Sequence, residues 1–308
     1  MTLPEDSAAQ DAAARSPGES HTVSPEQAGE RLDRAAMTAF ERLPSRRAAY
    51  KAVKRGEVTL NGERSTPCRR VVTGDRIQLY EPVRRMPVYH FPIHVVFEDD
   101  WLAVIEKPPG IPVSGNYART VERALPANLT ESCQGDRLVQ PRPAHRLDSP
   151  TGGILLVAKT ATALTSLGRQ FANRTIRKRY RALAEGWLPD SGSFEQPIDN
   201  RSAKTEFRVV TRTRFIHTEW LSTVDLWPVT GRTHQLRIHL ADAGHPIVGD
   251  QTYGEEAVKR GKGLFLWAVE LAFNHPVTGQ RIQVGTGEPN KFASHRRRES
   301  RRWQRRGS

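Results

Sequence analysis

The stretch His145-Arg146-Leu147-Asp148-Ser149-Pro150-Thr151-Gly152-Gly153 runs directly into Ile154-Leu155-Leu156-Val157-Ala158. A polar cluster closing on Pro, Thr and two glycines reads as a loop, and the short, fully apolar run after it reads as a strand buried on both faces. An aspartate flanked by Arg and His on such a loop can be held ionised and pointed into a cleft. It can equally cap a turn, the commoner fate of an Asp among Gly and Pro. The residues alone leave both readings open.

Working outward, Val95–Phe97 and Leu102–Ile105 read as strands, with Lys107-Pro108-Pro109-Gly110 as a turn. Thr160 to about Asn173 reads as a helix carrying Leu164, Leu167 and Phe171 on one face. Residues 178–185 alternate as a strand, Trp220–Trp227 gives another, and His234–Ala243 a helix stopped by Gly244. Strands outnumber helices and often follow one another, so the expected class is α+β with mainly antiparallel pairing.

A second polar constellation, Thr230-Gly231-Arg232-Thr233-His234-Gln235-Leu236-Arg237-Ile238-His239, lies at a strand-to-helix junction, where helix amides favour anions. His234 and His239 are five apart and no HExxH occurs, which argues against a metal site. Ser149 lacks the G-x-S-x-G context of a hydrolase nucleophile. Gly261-Lys262-Gly263 lacks phosphate-loop spacing and reads as a surface turn. Two cysteines, Cys68 and Cys133, exclude a disulfide framework or a multi-cysteine zinc site.

The chain has 308 residues and a net charge of +13, unevenly spread. Residues 1–30 hold six acids and one base, whereas 291–308 hold eight bases and one acid. So basic a body suits a polyanion, nucleic acid ahead of membrane, although a merely soluble basic protein has the same arithmetic. Without an apolar signal core or a membrane-length run, the expectation is a cytoplasmic protein, taken as a monomer. Residues 1–26 and 291–308 are expected to be disordered tails, the second able to hold RNA phosphates with Trp303 free to stack on a base.

Between about residues 30 and 81 a compact module is expected. Ser45 caps a helix through Lys54, closed by Gly56, with Arg47, Lys51 and Lys54 on one face and Ala49, Ala52 and Val53 on the other. Val58–Leu60, the turn Asn61-Gly62, and a strand from Arg76 after Gly74-Asp75 complete it. The basic face by itself is as consistent with plain solvation as with binding. The pattern RLDRAAMTAF…PSRRAAYKAVKRGEVTLNGE…VVTGDRIQLYEP resembles the alpha-L RNA-binding domain. That resemblance implies phosphate contacts from Arg46, Arg47, Lys51, Lys54 and Arg55.

After a linker at 82–88, residues 89–290 form the larger expected domain. HRLDSPTGGILLVAKT, RKRYRALAEG and PVTGRTHQLRIHLADAGHPIVGDQTYG stand in the order and spacing of the RluA family of pseudouridine synthases, which this chain resembles from about Tyr89 to Gly287. The resemblance implies a mixed, mainly antiparallel sheet with flanking helices around a central cleft. It also implies a cofactor-free and metal-free isomerisation of uridine in structured RNA, ribosomal RNA ahead of transfer RNA. Asp148 would be the nucleophile, attacking either sugar or base. Arg232 would be its ion-pair partner, and Tyr180 would stack on the uracil and assist loss of the carbon-5 proton. Arg146 would help extrude the nucleotide, since a stacked glycosidic bond is out of reach. His145, Thr151, His234, Gln235 and Arg237 would bind substrate.

Three departures from the family pattern stand out. Thr151-Gly152-Gly153 replaces Thr-Ser-Gly, Leu266-Trp267-Ala268 replaces Leu-His-Ala, and Gln196–Thr205 is a short version of its loop. A rival class, an RNA-binding or ribosome-assembly factor with a dead synthase domain, is disfavoured by the intact Asp148, Tyr180 and Arg232. A metal-dependent nuclease would need clustered carboxylates, which the sequence does not show.

Overall fold

The computed structural model describes residues 18–80, 87–254 and 263–306. The chain divides into two compact units, Met1–Arg85 and Met86–Ser308. Residues 1–17 of the expected N-terminal tail, 82–86 of the expected linker and the last two residues of the basic tail lie outside the described residues, as do Gly261 and Lys262.

In the smaller unit, β1 (Glu19–Thr22) leads to α1 (Leu32–Ala39) and α2 (Arg46–Arg55), then β2 (Val58–Leu60), β3 (Glu63–Arg64) and β4 (Arg76–Leu79). The strands form an antiparallel sheet in the order β1-β4-β2-β3. The Ser45 hydroxyl accepts the Ala48 amide at 3.2 Å, and Gly56 closes α2 in the left-handed region at φ 73°. Asn61 and Gly62, at φ 56° and 85°, make the tight turn between β2 and β3. Ala49, Ala52 and Val53 bury against Leu32, Ala36, Val58 and Ile77.

The expectation of disorder through residue 26 is corrected by β1. Glu-Ser-His-Thr has no apolar residue to announce a strand, but it lies at a sheet edge and is held by backbone pairing with β4, while Val23 buries behind it.

The larger unit contains β5 (His94–Glu98), β6 (Leu102–Lys107), α3 (Val121–Ala124), β7 (Arg137–Pro143), β8 (Gly152–Thr160), α4 (Ala161–Ala172) and β9 (Arg177–Glu185). It continues with β10 (Ser191–Phe194), β11 (Thr205–Phe215), β12 (Glu219–Pro228), α5 (Gln235–Asp242), β13 (Leu266–Asn274), β14 (Arg281–Gly285) and α6 (Asn290–Arg306). Its sheet runs β10-β11-β12-β9-β13-β8-β6-β5, with β14 beside β13 and β7 beside β8. Among the described residues, β13 with β8 is the one parallel pairing, so the fold is the mixed, mainly antiparallel α+β arrangement expected.

Every residue of β8 is buried, and its alternation serves two cores at once. Leu155 and Val157 join the cluster holding Ile105, Tyr180 and Leu236, whereas Ile154, Leu156 and Ala158 meet Ala163 and Leu167 of α4. A strand covered on both faces must read as a continuous apolar run. It also makes β8 a rigid floor for the loop that precedes it.

The C-terminal segment expected to be disordered is α6. Phe292, His295 and Glu299 are buried at a spacing of three and four, with half-buried Trp303 one turn further on. Phe292 packs on Phe265 at 5.3 Å between ring centroids, which gives this very basic helix an apolar anchor.

Candidate active site

Asp148 sits in the loop between β7 and β8. Its backbone carbonyl accepts the Thr151 amide at 3.0 Å, closing a turn that returns the chain to β8. The loop is held from below by Lys107, fully buried at the end of β6. Its Nζ donates to the carbonyls of Thr151 at 2.7 Å, Pro108 at 2.9 Å and Ser149 at 3.0 Å. Three acceptors match an ammonium's three donors, which is how a buried cation is tolerated. Burial still pushes Lys107 down to about 8, with the Asp148 charge opposing the fall.

The half-buried Asp148 carboxylate meets two cationic or cation-capable groups from the 230s segment. Arg237 Nη1 lies 3.5 Å from its Oδ2 and His234 Nε2 lies 3.8 Å from its Oδ1. Arg237 is itself locked by a two-pronged pair to buried Asp250, with Nε–Oδ2 and Nη2–Oδ1 both 2.7 Å. Burial alone would raise the Asp250 carboxyl, but Arg237 and the amides of Thr252 and Tyr253 outweigh it and hold the group below its ordinary value. Tyr253 also stacks near the Arg237 guanidinium at 5.0 Å and its hydroxyl meets His234 Nδ1 at 3.0 Å. His234 reaches Asp148 from a left-handed backbone conformation, φ 55°, seldom adopted by residues other than glycine.

A cavity of about 500 Å³ opens beside the carboxylate, lined by Arg146, Asp148, Lys178, Tyr180, Arg232 and Leu266 among others. That is within the range that encloses a small organic group. Arg146, Asp148, His234 and Arg237 also line a neighbouring cavity of about 540 Å³, beside Tyr117 and Asp250. Tyr180 is buried on β9. Burial, reinforced by the Asp148 charge, pushes its phenol well up, so it keeps its proton at neutral pH. Lys178, two residues earlier on the same strand, is pushed down by burial and faces Gly231 across the cavity.

The structure thus brings Asp148, Tyr180, Arg146, His234 and Arg237 together, and it corrects the partner of Asp148. Arg232 lines the cavity, but its Nε donates to the Ser202 carbonyl at 3.1 Å; the guanidinium beside Asp148 is that of Arg237. The physical reason is the turn at His234, which sends Arg237 inward on the first turn of α5.

Gln235 is a clasp more than a substrate ligand. Its Oε1 accepts from Thr230 at 2.6 Å and from the Arg232 amide at 3.0 Å, while its Nε2 donates to Lys204 and Thr205. His145 Nε2 accepts the Leu156 amide at 3.1 Å and its ring rests on Phe171 at 4.9 Å. Burial, with Lys178 nearby, lowers that imidazole to about 3, so it stays neutral and props the loop against β8. Thr151 is buried on the cavity wall, and its hydroxyl has no hydrogen-bond partner among the described residues.

In the smaller unit, Arg46 leans on buried Asp33 at 3.4 Å and Arg55 pairs with Glu57 at 2.7 Å, so Arg47, Lys51 and Lys54 form the open basic face. Sequence reasoning missed Lys107, Lys178 and the Asp250–Tyr253 pair. Lys107 was visible only as a charge ending an apolar strand, and the other three lay inside the segments that carried the family resemblance.

The site is thus a half-buried carboxylate beside a clamped arginine, on the wall of a cavity of about 500 Å³. Residues 101–242 match the RNA pseudouridylate synthase family. The chain is 33% identical over 296 residues to an uncharacterized RNA pseudouridine synthase of Aquifex aeolicus, covering 86% of this chain and 92% of that one. It is 34% identical to ribosomal large subunit pseudouridine synthase C of Pasteurella multocida, covering 85% and 88%. The match to ribosomal large subunit pseudouridine synthase D of Haemophilus influenzae is 32% identical, covering 88% and 91%. Among solved structures, human RNA pseudouridylate synthase domain containing 1 superposes with a TM-score of 0.55 at 26% identity, covering 66% of this chain and 86% of that one. The chain belongs to the RNA pseudouridine synthases, enzymes that isomerise uridine within RNA.

Proposed function

We propose that this enzyme converts a uridine of large-subunit ribosomal RNA to pseudouridine, with Asp148 as nucleophile on a nucleotide turned out of its stack. The observation that carries the reading is the Asp148 carboxylate on the cavity wall, with Arg237 fixed beside it by Asp250. The ribosomal target is supported by the relatives from Pasteurella and Haemophilus, which are named for that subunit.

In the reaction, the bond from ribose carbon 1′ to uracil nitrogen 1 breaks and one from carbon 1′ to carbon 5 forms. The carbon-5 hydrogen leaves as a proton, and nitrogen 1 gains one. Asp148 bonds transiently to the nucleoside and is released unchanged. Arg237 supplies countercharge before and after that step, and its rigidity costs little reorganisation. Tyr180, protonated and buried, presents a ring for the uracil to pack against and a hydroxyl that donates; it is unsuited to act as a base until its proton is taken. Arg146, exposed on the cavity wall, fills space or holds phosphate as the nucleotide is extruded, at a cost of a few kcal/mol. The smaller unit, read as an alpha-L domain, adds phosphate contacts through Arg47, Lys51 and Lys54.

Release of tritium from carbon-5-labelled uridine tests this, with ribosomal and transfer RNA transcripts supplied separately to wild type and Asp148→Asn. Release by wild type alone, from ribosomal RNA, is expected. Release from transfer RNA alone would move the target, and equal release by Asp148→Asn would remove Asp148 from the chemistry.

A further inference from the structure

Away from the cavity, the larger unit carries a surface on which indoles and guanidiniums alternate. Trp187, just after β9, is 53% exposed and meets Trp220 at the start of β12 edge-on, with ring centroids 4.8 Å apart. The Arg212 guanidinium lies over Trp187 at 4.2 Å and is itself tied to the Leu188 carbonyl and Asp190. Arg214 lies over Trp220 at 3.9 Å and over Trp303 of α6 at 5.0 Å. Three tryptophans from three separate segments therefore form one run, bridged and oriented by arginines. None of them lines the cavity.

Helix α6 extends this run with charge. It packs along β11, and its C-terminal end is tied back where Arg306 donates to the Ile216 carbonyl. Its buried stripe leaves Arg297, Arg301 and Arg305 on the exposed side, with no ion pair among the described residues. Arg298 and Arg302 share Glu299, the helix's one acid. An intramolecular packing role explains Trp220 and Trp303, which are half-buried. It does not explain why a large indole at 187 is fixed in orientation and left open to solvent.

We propose that this surface is a second RNA-contact site, resting on the reading of the enzyme as an RNA pseudouridine synthase. It binds an unpaired stretch of the substrate RNA outside the catalytic cavity. One base stacks on Trp187, and the neighbouring phosphates meet Arg297, Arg301 and Arg305. The chemistry that selects RNA is the combination: a solvent-exposed indole stacks with any base, and a helix with eight bases and one acid takes the backbone. An acidic protein would use the charges and leave the indole idle.

The test compares wild type, Trp187→Ala, Trp187→Phe and the triple variant Arg297→Ala/Arg301→Ala/Arg305→Ala, all in the full chain. Three probes are used: a short oligouridylate, an unmodified large-subunit ribosomal RNA transcript and polyglutamate. Trp187→Ala should weaken oligouridylate binding about ten- to a hundredfold, with Trp187→Phe restoring part of the loss. The triple variant should make the slope of log affinity against log salt shallower by about 2, at about 0.7 per single-stranded phosphate. Both should raise KM for tritium release from the transcript and leave kcat within about twofold, because neither touches the cavity. Wild-type affinity and salt slope in every variant would overturn the surface alone. Weakened binding of polyglutamate with RNA binding unchanged would overturn it in favour of an acidic partner. A wild type that binds neither RNA would remove the proposed function and this surface together.

Discussion

A β-carbon added to Gly152 would lie 2.6 Å from Cη2 of Trp267 and closer still to Cζ3, because the parallel pairing of β8 with β13 sets these two residues opposite each other. Two departures from the family pattern, glycine for serine and tryptophan for histidine, are therefore one. The indole occupies the space a side chain at 152 would need, and that position begins the strand directly after the Asp148 loop. Gly152→Ser should cost about 1–3 kcal/mol by overpacking against a buried ring. Trp267→His alone should cost about 2–4 kcal/mol through lost packing. The double variant should be more stable than the sum of the two predicts, by about 1–3 kcal/mol. Urea unfolding of the four proteins measures this, and strict additivity would break the coupling.

How much of this was legible beforehand follows from where the information lies. The Asp148 loop and β8 could be read because a polar, glycine-closed segment ahead of a doubly buried strand is a local pattern. The pairing of Gly152 with Trp267 could not, since it depends on which strands become neighbours across more than a hundred residues. Arg232 and Arg237 look equally suited to Asp148 in sequence, and only the left-handed turn at His234 decides between them. Strand β1 escaped because an edge strand held by its backbone needs no apolar residue. Helix α6 escaped because its buried stripe includes His295 and Glu299, so only Phe292 and Trp303 mark the period amid eight bases.

Lys107 holds the Asp148 loop through backbone carbonyls, so under the proposed function its removal should be felt in rate as well as stability. Lys107→Met keeps much of the volume but strands the carbonyls of Pro108, Ser149 and Thr151. The expected loss of unfolding free energy is about 1.5–3 kcal/mol, the range for hydrogen bonds to a charged group. With Asp148 less well placed, kcat should fall at least about tenfold while KM for RNA changes little. Unchanged kcat in a folded Lys107→Met protein would mean the loop is positioned by β8 alone.

His145 should give the fold an acid sensitivity of definite sign. Its imidazole is held neutral in the folded state, at about 3 by burial, whereas the unfolded chain takes up that proton near 6.5. Between these values the unfolded state binds more protons, so this contribution to stability is complete above pH 6.5 and is lost progressively as pH falls toward 3. His145→Gln can still accept the Leu156 amide and no longer titrates. Its urea midpoint should therefore fall less than that of wild type between about pH 7 and pH 5. Parallel curves for the two proteins would show that His145 takes up its proton over the same pH range folded as unfolded.

The partner of Asp148 can be decided by treating the two arginines alike. Arg237 is 4% exposed and stands between Asp148 and Asp250. Replacing it with Met leaves two carboxylates without their shared cation, and breaking a buried pair in this way costs about 3–5 kcal/mol. Arg237→Lys keeps a charge but cannot reproduce the fork that grips Asp250, so a folded protein with kcat reduced about ten- to a hundredfold is expected. Arg232→Met loses one hydrogen bond to the Ser202 carbonyl. It should stay within about 1 kcal/mol of wild type and act mainly through a higher KM, as a residue facing RNA would. Tritium release across an RNA concentration series, run beside urea unfolding, separates these cases. If Arg232→Met were the variant that lost kcat, the ion pair seen between Arg237 and Asp148 would have to rearrange when RNA binds.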